Sequence, residues 1–493
     1  MSDPPETGSV GAESVNEALG DRKVVKLSAR RGVKKGDGDV LGYDVEEINA
    51  RWALVMLGGK AVILEENLTG DDVPAHERVR FVSPESFQLW MTNETVILDD
   101  KPVPKGRLWM ADTKRRQYRG VMFRPAAPGE ESAVPNDYYN LWRGFAHEPK
   151  EEGSCALFKD HLLANVADGD EGIYKYLFGW MAHIVQRPRQ RLGIAVVLRS
   201  EKQGTGKTFF GEVLGGLFPD HYVLVDDPRY IVGQFNAHMS STLLLQADEG
   251  FWAGDKQAEG RLKGMITSKR QMIEMKGRDP IFVDNHVHLL VTTNNAWAVP
   301  AGMNERRFAV FDVADHACQN REYFGAIAAE LKAGGQARLL WELTEFDLAS
   351  VDLSKIPRTR ALYDQKVASL SYVGQWWSDC LRREWVVSHG DAGDHDQGEE
   401  SIWRSSVPTR DVYANYRSFC DGLGVRYKLS PEQVGIELNR MIPGISRSRP
   451  TDVNGRRTWC YEFPSLARCR EAWNERMDSD INWGEDDLTG KAS

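Results

Sequence analysis

The sequence predicts an α/β protein, with a mainly parallel-sheet core between a small β-rich N-terminal domain and a C-terminal module of helix and basic hairpin. Three observations predict it. Short apolar strands alternate with helical stretches from Leu192 to about Leu331, the mark of an α/β unit. A Gly-rich loop, Gln203-Gly-Thr-Gly-Lys-Thr208, joins one of those strands to a helical run. Beyond a Gly- and Asp-rich linker, a capped helix leads to an Asn454-Gly455 turn and a strand alternating Trp459, Tyr461 and Phe463. Asn-Gly in such a setting is the strongest short hairpin signal.

The elements follow in order. Residues 1–40 are polar and charged with few large apolar side chains, a composition that favours disorder. Order is expected from near Ile48, where Arg51 to Glu65 reads as two strands around Gly58-Gly59. Strand-like runs at Val96 to Leu98, Arg107 to Met110 and Gly120 to Phe123 complete a β-rich domain over 41–134. A helical collar over 135–185 is marked by Leu162, Leu163, Val166, Tyr174, Leu177, Trp180 and Ile184 at helical spacings. The core, 186–350, carries strands at Arg189 to Leu198, Tyr222 to Val225, Thr242 to Gln246, His288 to Thr292 and Phe308 to Val313. A helical segment (351–388) with one helix over 357–385, a linker (389–404), the module (405–475) and an acidic tail (476–493) around Ile481 and Trp483 complete the chain. Such tails are mostly solvated.

Composition narrows the class. At roughly 150 residues per domain, 493 residues suggest about three domains. With 41% apolar and 27% charged residues, collagen-like, wholly disordered and disulfide-scaffold chains are excluded. The apolar run Ile194 to Leu198 is far below the ~18 residues of a membrane span, and Met1 to Val15 lacks the pattern of a secretory signal. A soluble, cytoplasmic protein without membrane contact is expected. The six cysteines are scattered with no CxxC pair, which suits small buried hydrophobes. His286 and His288 lie near Asp284 but inside an apolar strand pattern, favouring packing over metal ligation. The net charge of −10 is uneven: Arg22 to Lys35 holds seven basic residues and no acid, and Ser405 to Trp473 eleven against seven. A basic module on an acidic chain hints at nucleic-acid contact.

The motifs carry the chemistry. In Glu201-Lys-Gln-Gly-Thr-Gly-Lys-Thr208, a Gly-rich turn between strand and helix lets backbone N–H groups wrap phosphate oxygens. Gln203, Gly204, Thr205 and Gly206 form the cradle, Lys207 reaches the β- and γ-phosphates, and the Thr208 hydroxyl ligates Mg²⁺. Glu201 stands where such loops usually have their first glycine. Leu243 to Glu249 is an apolar strand ending in two acids, Asp248 for the metal shell and Glu249 to orient the attacking water. His288 to Asn295 is a second buried strand whose Asn294 can touch the γ-phosphate or the water. Arg306 and Arg307, in Asn304-Glu-Arg-Arg-Phe308, suit stabilising charge in phosphoryl transfer. Each has a plainer reading as a turn, a strand end or a surface pair; their order favours the shared one.

That order resembles the superfamily 3 helicases of phages, plasmids and DNA viruses, and more closely the helicase part of phage primase-helicases. Tyr139-Asn-Leu-Trp-Arg-Gly144, Gly233-Gln-Phe-Asn236 and Pro357-Arg-Thr-Arg-Ala-Leu-Tyr-Asp-Gln365 fit the same family, and the match covers about 135–385. The resemblance implies an AAA+-like P-loop NTPase core using ATP and Mg²⁺, assembled as a homo-oligomer, a hexamer, around single-stranded DNA. Arg306 or Arg307 would then reach the neighbouring subunit's nucleotide. A hairpin between the two motif strands would carry a DNA-gripping lysine, and Gln271 to Val283 fills that interval with Lys276-Gly277 at its tip.

The module supports DNA contact on its own. Ser430-Pro-Glu-Gln433 is a capping sequence, and the helix after it presents Val434, Leu438 and Met441. Helix then basic hairpin is a winged-helix pattern, leaving Arg447, Arg449, Arg456 and Arg457 for phosphates of a duplex. The acidic tail is a candidate strip for replication partners. Asp168-Gly-Asp170 has the spacing of a primase metal pair but sits between helices like a turn or cap, and no primase activity is expected. The activity implied is an ATP-dependent DNA helicase acting in replication. The alternative is an ATP-switched initiator or loader; a scaffold with a decayed loop would rest on Glu201 alone.

Overall fold

The computed structural model describes residues 42–66, 78–227, 236–249, 256–274, 279–386, 403–451 and 455–483. Several expectations lie outside the described residues: the disorder of 1–40, most of the 389–404 linker, Gly233 to Phe235, the Lys276-Gly277 tip, Asn454 and the end of the acidic tail.

Helix α1 (Val45–Asn49) is capped by Asp44, whose carboxylate accepts from the Glu46 N–H at 2.9 Å. Strands β1 (Trp52–Leu57) and β2 (Lys60–Glu66) pair antiparallel across the Gly58-Gly59 turn. Alternation along β1 divides its side chains. Ala53, Val55 and Leu57 enter the main core, and Trp52 and Leu54 meet Phe87 and Trp109 in a small satellite core. Strand β3 (Val79–Val82) extends this sheet; helix α2 (Pro84–Trp90) and a hairpin of β4 (Thr95–Leu98) and β5 (Lys101–Pro104) follow. Arg107 to Met110, expected as a strand, lies in helix α3 (Lys105–Ala111). The run Leu108-Trp109-Met110 is too short to fix a period. Tertiary packing decides: Trp109 is fully buried and its Nε1 donates to Asn49 Oδ1 at 2.9 Å. Strand β6 (Gln117–Tyr118) joins β1, and β7 (Gly120–Met122) pairs with β8 (Tyr138–Asn140).

The collar is helix α4 (Ala156–His161), a π-helical turn at Leu162–Val166 and helix α5 (Glu171–Gln186). Asp170 caps α5, accepting from the Ile173 N–H at 2.9 Å, and Asp168 faces His316 at 3.5 Å. From Tyr176 to Val185 every residue of α5 is buried, which makes it the pillar behind the main sheet.

That sheet comprises β9 (Ala195–Arg199), β10 (Tyr222–Val225), β11 (Leu244–Asp248), β14 (His288–Thr293) and β15 (Phe308–Asp312). Between them lie α6 (Lys207–Gly215), α7 (Lys256–Thr267) and a hairpin of β12 (Arg270–Ile273) and β13 (Ile281–Asp284). The order is β10-β11-β14-β9-β15 with every pair parallel. Val196, Leu198, Leu290 and Phe311 face one apolar cluster and Ala195, Val197, Leu245 and Val291 the other. Burial on both faces explains why these strands are continuous apolar runs. β9 starts later than expected, because Gly193 at φ 70° turns the chain just before it. His288 lies buried in β14 with its ring 6.2 Å from that of His183; among the described residues no His, Cys, Asp and Glu gather as a metal site. Helices α8 (Arg321–Glu330) and α9 (Gln336–Glu345) close this part. No helix among the described residues is long and apolar enough to cross a membrane.

The helix expected over 357–385 is two: α10 (Arg360–Ala368) and α11 (Tyr372–Arg383). The break has a local cause, since the Ser371 hydroxyl caps α11 at the Gly374 N–H. Strand β16 (Ser406–Pro408), α12 (Thr409–Gly422), α13 (Pro431–Met441), β17 (Ser446–Ser448), β18 (Cys460–Glu462) and α14 (Leu466–Met477) complete the C-terminal module. The expected capping box of α13 forms, Ser430 and Gln433 bonding reciprocally. The module shares one core with α10 and α11, through Tyr363, Trp376, Trp377, Phe463 and Trp473. The start of the acidic tail is not simply solvated: Ile481 and Trp483 pack on that core, Arg470 lies over Trp483, and Asp480 pairs with Arg358 at 3.0 Å. Apolar residues spaced two apart among the acids give this stretch a face to bury.

One buried chain of hydrogen bonds fastens the module. Trp473 Nε1 donates to Tyr363 Oη at 2.9 Å, and that oxygen is 2.9 Å from Ser378 Oγ. Tyr363→Phe strands the indole N–H in the core, so it should cost about 1–3 kcal/mol and lower the thermal midpoint of the full chain in calorimetry.

Candidate functional site

β9 is the switch strand: the next strand in the chain, β10, lies at the far edge of the sheet, and β15 lies on β9's other side. Ligands of open α/β sheets bind beyond the carboxyl ends of strands at such a point. The loop Ser200–Gly206 leaves β9 there and runs into α6. Gly204 (φ 75°) and Gly206 (φ 92°) are left-handed, where a side chain is strained. A Cβ on Gly206 would also lie 2.7 Å from the buried His161 ring. The loop borders a cleft of about 770 Å³ lined by Gln203 to Thr208, Asp248, Glu249 and Asn294. That is the size range of small-molecule sites.

Lys207 is buried, and burial holds its amine below the usual lysine range. It donates to Ser200 Oγ at 2.5 Å, Asn294 Oδ1 at 2.7 Å and the Lys202 carbonyl at 3.3 Å. Asn294 also donates from Nδ2 to Glu249 Oε1, so one amide links the ammonium to the exposed carboxylate. Thr208 Oγ1 donates to Asp248 Oδ2 at 3.1 Å, and Thr292 Oγ1 fixes the other oxygen, Oδ1, at 2.6 Å. The Thr208 hydroxyl and Asp248 carboxylate are hard oxygen donors that suit Mg²⁺, which is held by one or two protein groups plus waters and phosphate.

The structure thus brings Gln203, Gly204, Thr205, Gly206, Lys207, Thr208, Asp248, Glu249 and Asn294 together at one cleft. It does not bring Arg306 and Arg307 there. They precede β15, at the end of the sheet away from the loop, with Arg306 exposed and their backbone N–H groups on Glu305 Oε1 at 3.0 and 2.7 Å. Lys276 lies outside the described residues, though the strands that flank it pair as a hairpin, Arg270↔Asp284 to Ile273↔Ile281. Arg447 and Arg449 lie over the Tyr461 and Trp459 rings, since short strands bring each opposite or beside an aromatic ring, and both stay exposed. Arg456 and Arg457 are exposed just past the turn.

Sequence reasoning missed the collar's part in the site. Asn165, buried in the π-helical turn, donates to the Thr205 carbonyl at 2.6 Å, and its own carbonyl accepts from the Ala314 N–H at 2.9 Å. His161 packs beneath the loop among Phe209, Tyr323 and Phe324. Gln319, Arg321 and Phe324 line the cleft's far wall. These partners are some 40 to 120 residues from the loop in sequence, and no local spacing marks them.

Residues 198–307, from the end of β9 to the start of β15, match a family of unknown function (DUF5906). Over 155 residues the chain is 26% identical to a protein named DNA Primase-polymerase from Nitratiruptor phage NrS-1. That match takes in 31% of this chain and 21% of the phage protein, so the chain spans about a fifth of that relative's length. Among solved structures, two of the NrS-1 C-terminal region superimpose with TM-scores of 0.57 and 0.54 at 16% identity. Each covers 86% of this chain, and 100% and 99% of its own. The chain shares its fold with that region.

Burial keeps His161 neutral, its pKa pushed down to about 4, and does the same to His221. In the unfolded chain both titrate near 6.5, so between those values the unfolded state binds more protons. Stability should fall as pH drops from about 6.5 toward 4, seen as a declining urea midpoint, with a shallower decline in His161→Phe. A midpoint independent of pH over this window would contradict it.

Proposed function

We propose that this chain is an ATP-dependent DNA helicase or translocase of a phage or similar mobile element, acting in DNA replication in the host cytoplasm. The observation that carries the reading is the linked set Lys207–Asn294–Glu249 beside Thr208–Asp248 at the switch point of a parallel sheet. The core is then a P-loop NTPase of the AAA+-like, superfamily 3 kind, and the C-terminal module a winged-helix-like DNA-binding unit. The NrS-1 likeness supports a replication role, since the relative is named a primase-polymerase.

In this mechanism the loop N–H groups and Lys207 Nζ hold the phosphates of ATP. Thr208 Oγ1 and Asp248 would hold Mg²⁺, which would supply neutralisation of the charge developing on the phosphates. Glu249 accepts the proton of a water whose oxygen bonds to the γ-phosphorus as the bond to the bridging oxygen breaks and ADP leaves, and Asn294 orients that carboxylate. When the Lys207 ammonium turns to phosphate, Asn294 loses one of its two partners and reports the occupied state to Glu249. Arg306 or Arg307 reaches the neighbouring subunit's nucleotide, which their place at the other end of the sheet favours and which demands a ring, a hexamer. Lys276, which lies between β12 and β13 in sequence, grips single-stranded DNA in the pore.

A second reading, an ATP-switched initiator or loader, shares these residues and is separated by experiment. Wild type should hydrolyse ATP faster with single-stranded DNA. Glu249→Gln should bind ATP yet lose turnover roughly 10²-fold or more. Lys276→Ala should keep DNA binding but lose unwinding of a forked duplex. Slow turnover indifferent to DNA, with unwinding untouched by Lys276→Ala, would move the reading to the initiator. Light scattering that shows only monomer with ATP and DNA present would remove the ring. Templated primer synthesis is expected to be absent, because Asp170 of the Asp168-Gly-Asp170 sequence is engaged as a helix cap; a primer-extension assay checks this.

A further inference from the structure

On the C-terminal module a cleft of about 490 Å³ opens between α12, α13 and the β17–β18 pair, bordered by Thr409, Arg410, Tyr413, Arg447, Trp459 and Tyr461. Trp459 leaves 51% of its surface in water, a large apolar exposure for a side chain already on an ordered strand edge. It is held there: the Thr409 N–H donates to the Trp459 carbonyl at 2.8 Å, and the Arg449 guanidinium sits 5.6 Å from its ring. Opposite, Arg447 lies 4.8 Å over Tyr461 and donates to its hydroxyl at 2.6 Å. Gly435 of α13 makes room for this pair, since a Cβ there would meet Arg447 Nη2 and Tyr461 Oη at 2.6 Å. Arg410 and Arg447 border the cleft and Arg449 lies over the half-open indole, against two carboxylates, Glu432 on the rim and Asp411, which pairs with Arg410 at 3.1 Å. The chemistry offered is a flat π face with cations at its border.

We propose that this cleft takes an unpaired base of single-stranded nucleic acid, stacked on Trp459, with the flanking phosphates on Arg410 and Arg449. A duplex buries its base faces, so a stacking site selects strands that are open. Aromatic faces bind any base, and guanidinium groups beside them track the backbone. The module would hold the separated strand at a fork, a role distinct from duplex phosphate contact. This rests on the DNA reading of the chain but not on ATP hydrolysis.

The test uses the full chain, an oligothymidylate of about 20 nucleotides and a blunt duplex, read by fluorescence anisotropy. Trp459→Ala should weaken single-strand binding roughly tenfold, Trp459→Phe should retain most of it, and duplex affinity should hardly change. An oligonucleotide carrying 5-iodouracil, irradiated on the wild-type protein, should crosslink to the peptide that contains Trp459. Crosslinks confined to other peptides, or equal loss of single strand and duplex in Trp459→Ala, would overturn the stacking site. With DNA-stimulated ATP hydrolysis intact, that outcome sinks the stacking site alone. A Trp459 crosslink in a chain that never hydrolyses ATP sinks the motor reading alone, and failure to bind any oligonucleotide sinks both.

Discussion

A buried ammonium needs partners, and much of the core is arranged to supply them to Lys207. Charge removed from water without compensation costs far more than one side chain's packing returns. Here the Ser200 hydroxyl, the Lys202 carbonyl and the Asn294 amide stand within hydrogen-bond reach of Nζ. They come from the carboxyl ends of two adjacent strands of the same sheet: Ser200 and Lys202 follow β9, and Asn294 follows β14, paired to β9 by Thr293↔Arg199. The loop conformation, the register of β9 and β14 and the position of α6 are therefore one constraint. An incoming phosphate would satisfy the ammonium equally well, since the protein oxygens that hold it are ones an anionic ligand could replace.

The same strand end ties the cleft to the rest of the molecule. Arg199, the last residue of β9, makes paired bonds to Asp312 at 2.6 and 2.8 Å and reaches Asp364 on α10 at 3.4 Å. Burial pushes the Asp364 carboxyl up from its usual range, while Arg360 and Arg199 oppose the shift. One residue earlier on the same helix, Tyr363 anchors Trp473 of α14. Lys366, a turn further, donates to the Met477 carbonyl at 2.6 Å. Helix α10 thus touches the loop-bearing strand at one side and the C-terminal module at the other. Any shift of β9 would have a packed route to the module, and a rigid helix transmits it better than a linker would.

Much of this was legible in the residues. The five strands of the core announce themselves because parallel strands covered on both faces are apolar throughout, and the Ser430 capping box is a local signal that a local structure answers. The gathering of the cleft residues was legible for a similar reason: glycines, a lysine and a hydroxyl in a short stretch between strand and helix mark a tight turn at the sheet's carboxyl edge. What escaped is non-local. Arg107 to Met110 turned helical because Trp109 found Asn49, about 60 residues away. Asn165 and His161 support the loop from the collar with nothing in their own surroundings to say so. Strand pairing, not local sequence, set Arg447 opposite Tyr461.

Asp248 and Glu249 pose a geometric problem that the backbone solves. Neighbours on a strand point to opposite faces, yet both carboxylates line one cleft. The ladder holds through the Glu249 N–H, which donates to the Thr292 carbonyl at 2.8 Å, and then the chain turns left-handed, Glu249 standing at φ 51°. A non-glycine residue there costs on the order of 1 kcal/mol or more. The turn swings the second carboxylate back to the side of the first, where Asn294 meets it. Glycine would remove the strain but also the carboxylate, and a regular extended residue would send the acid across the sheet. Strain at this one position, held by the Thr292 and Asn294 bonds, lets adjacent acids stand at one cleft with separate partners, Thr208 and Thr292 on Asp248 and Asn294 on Glu249.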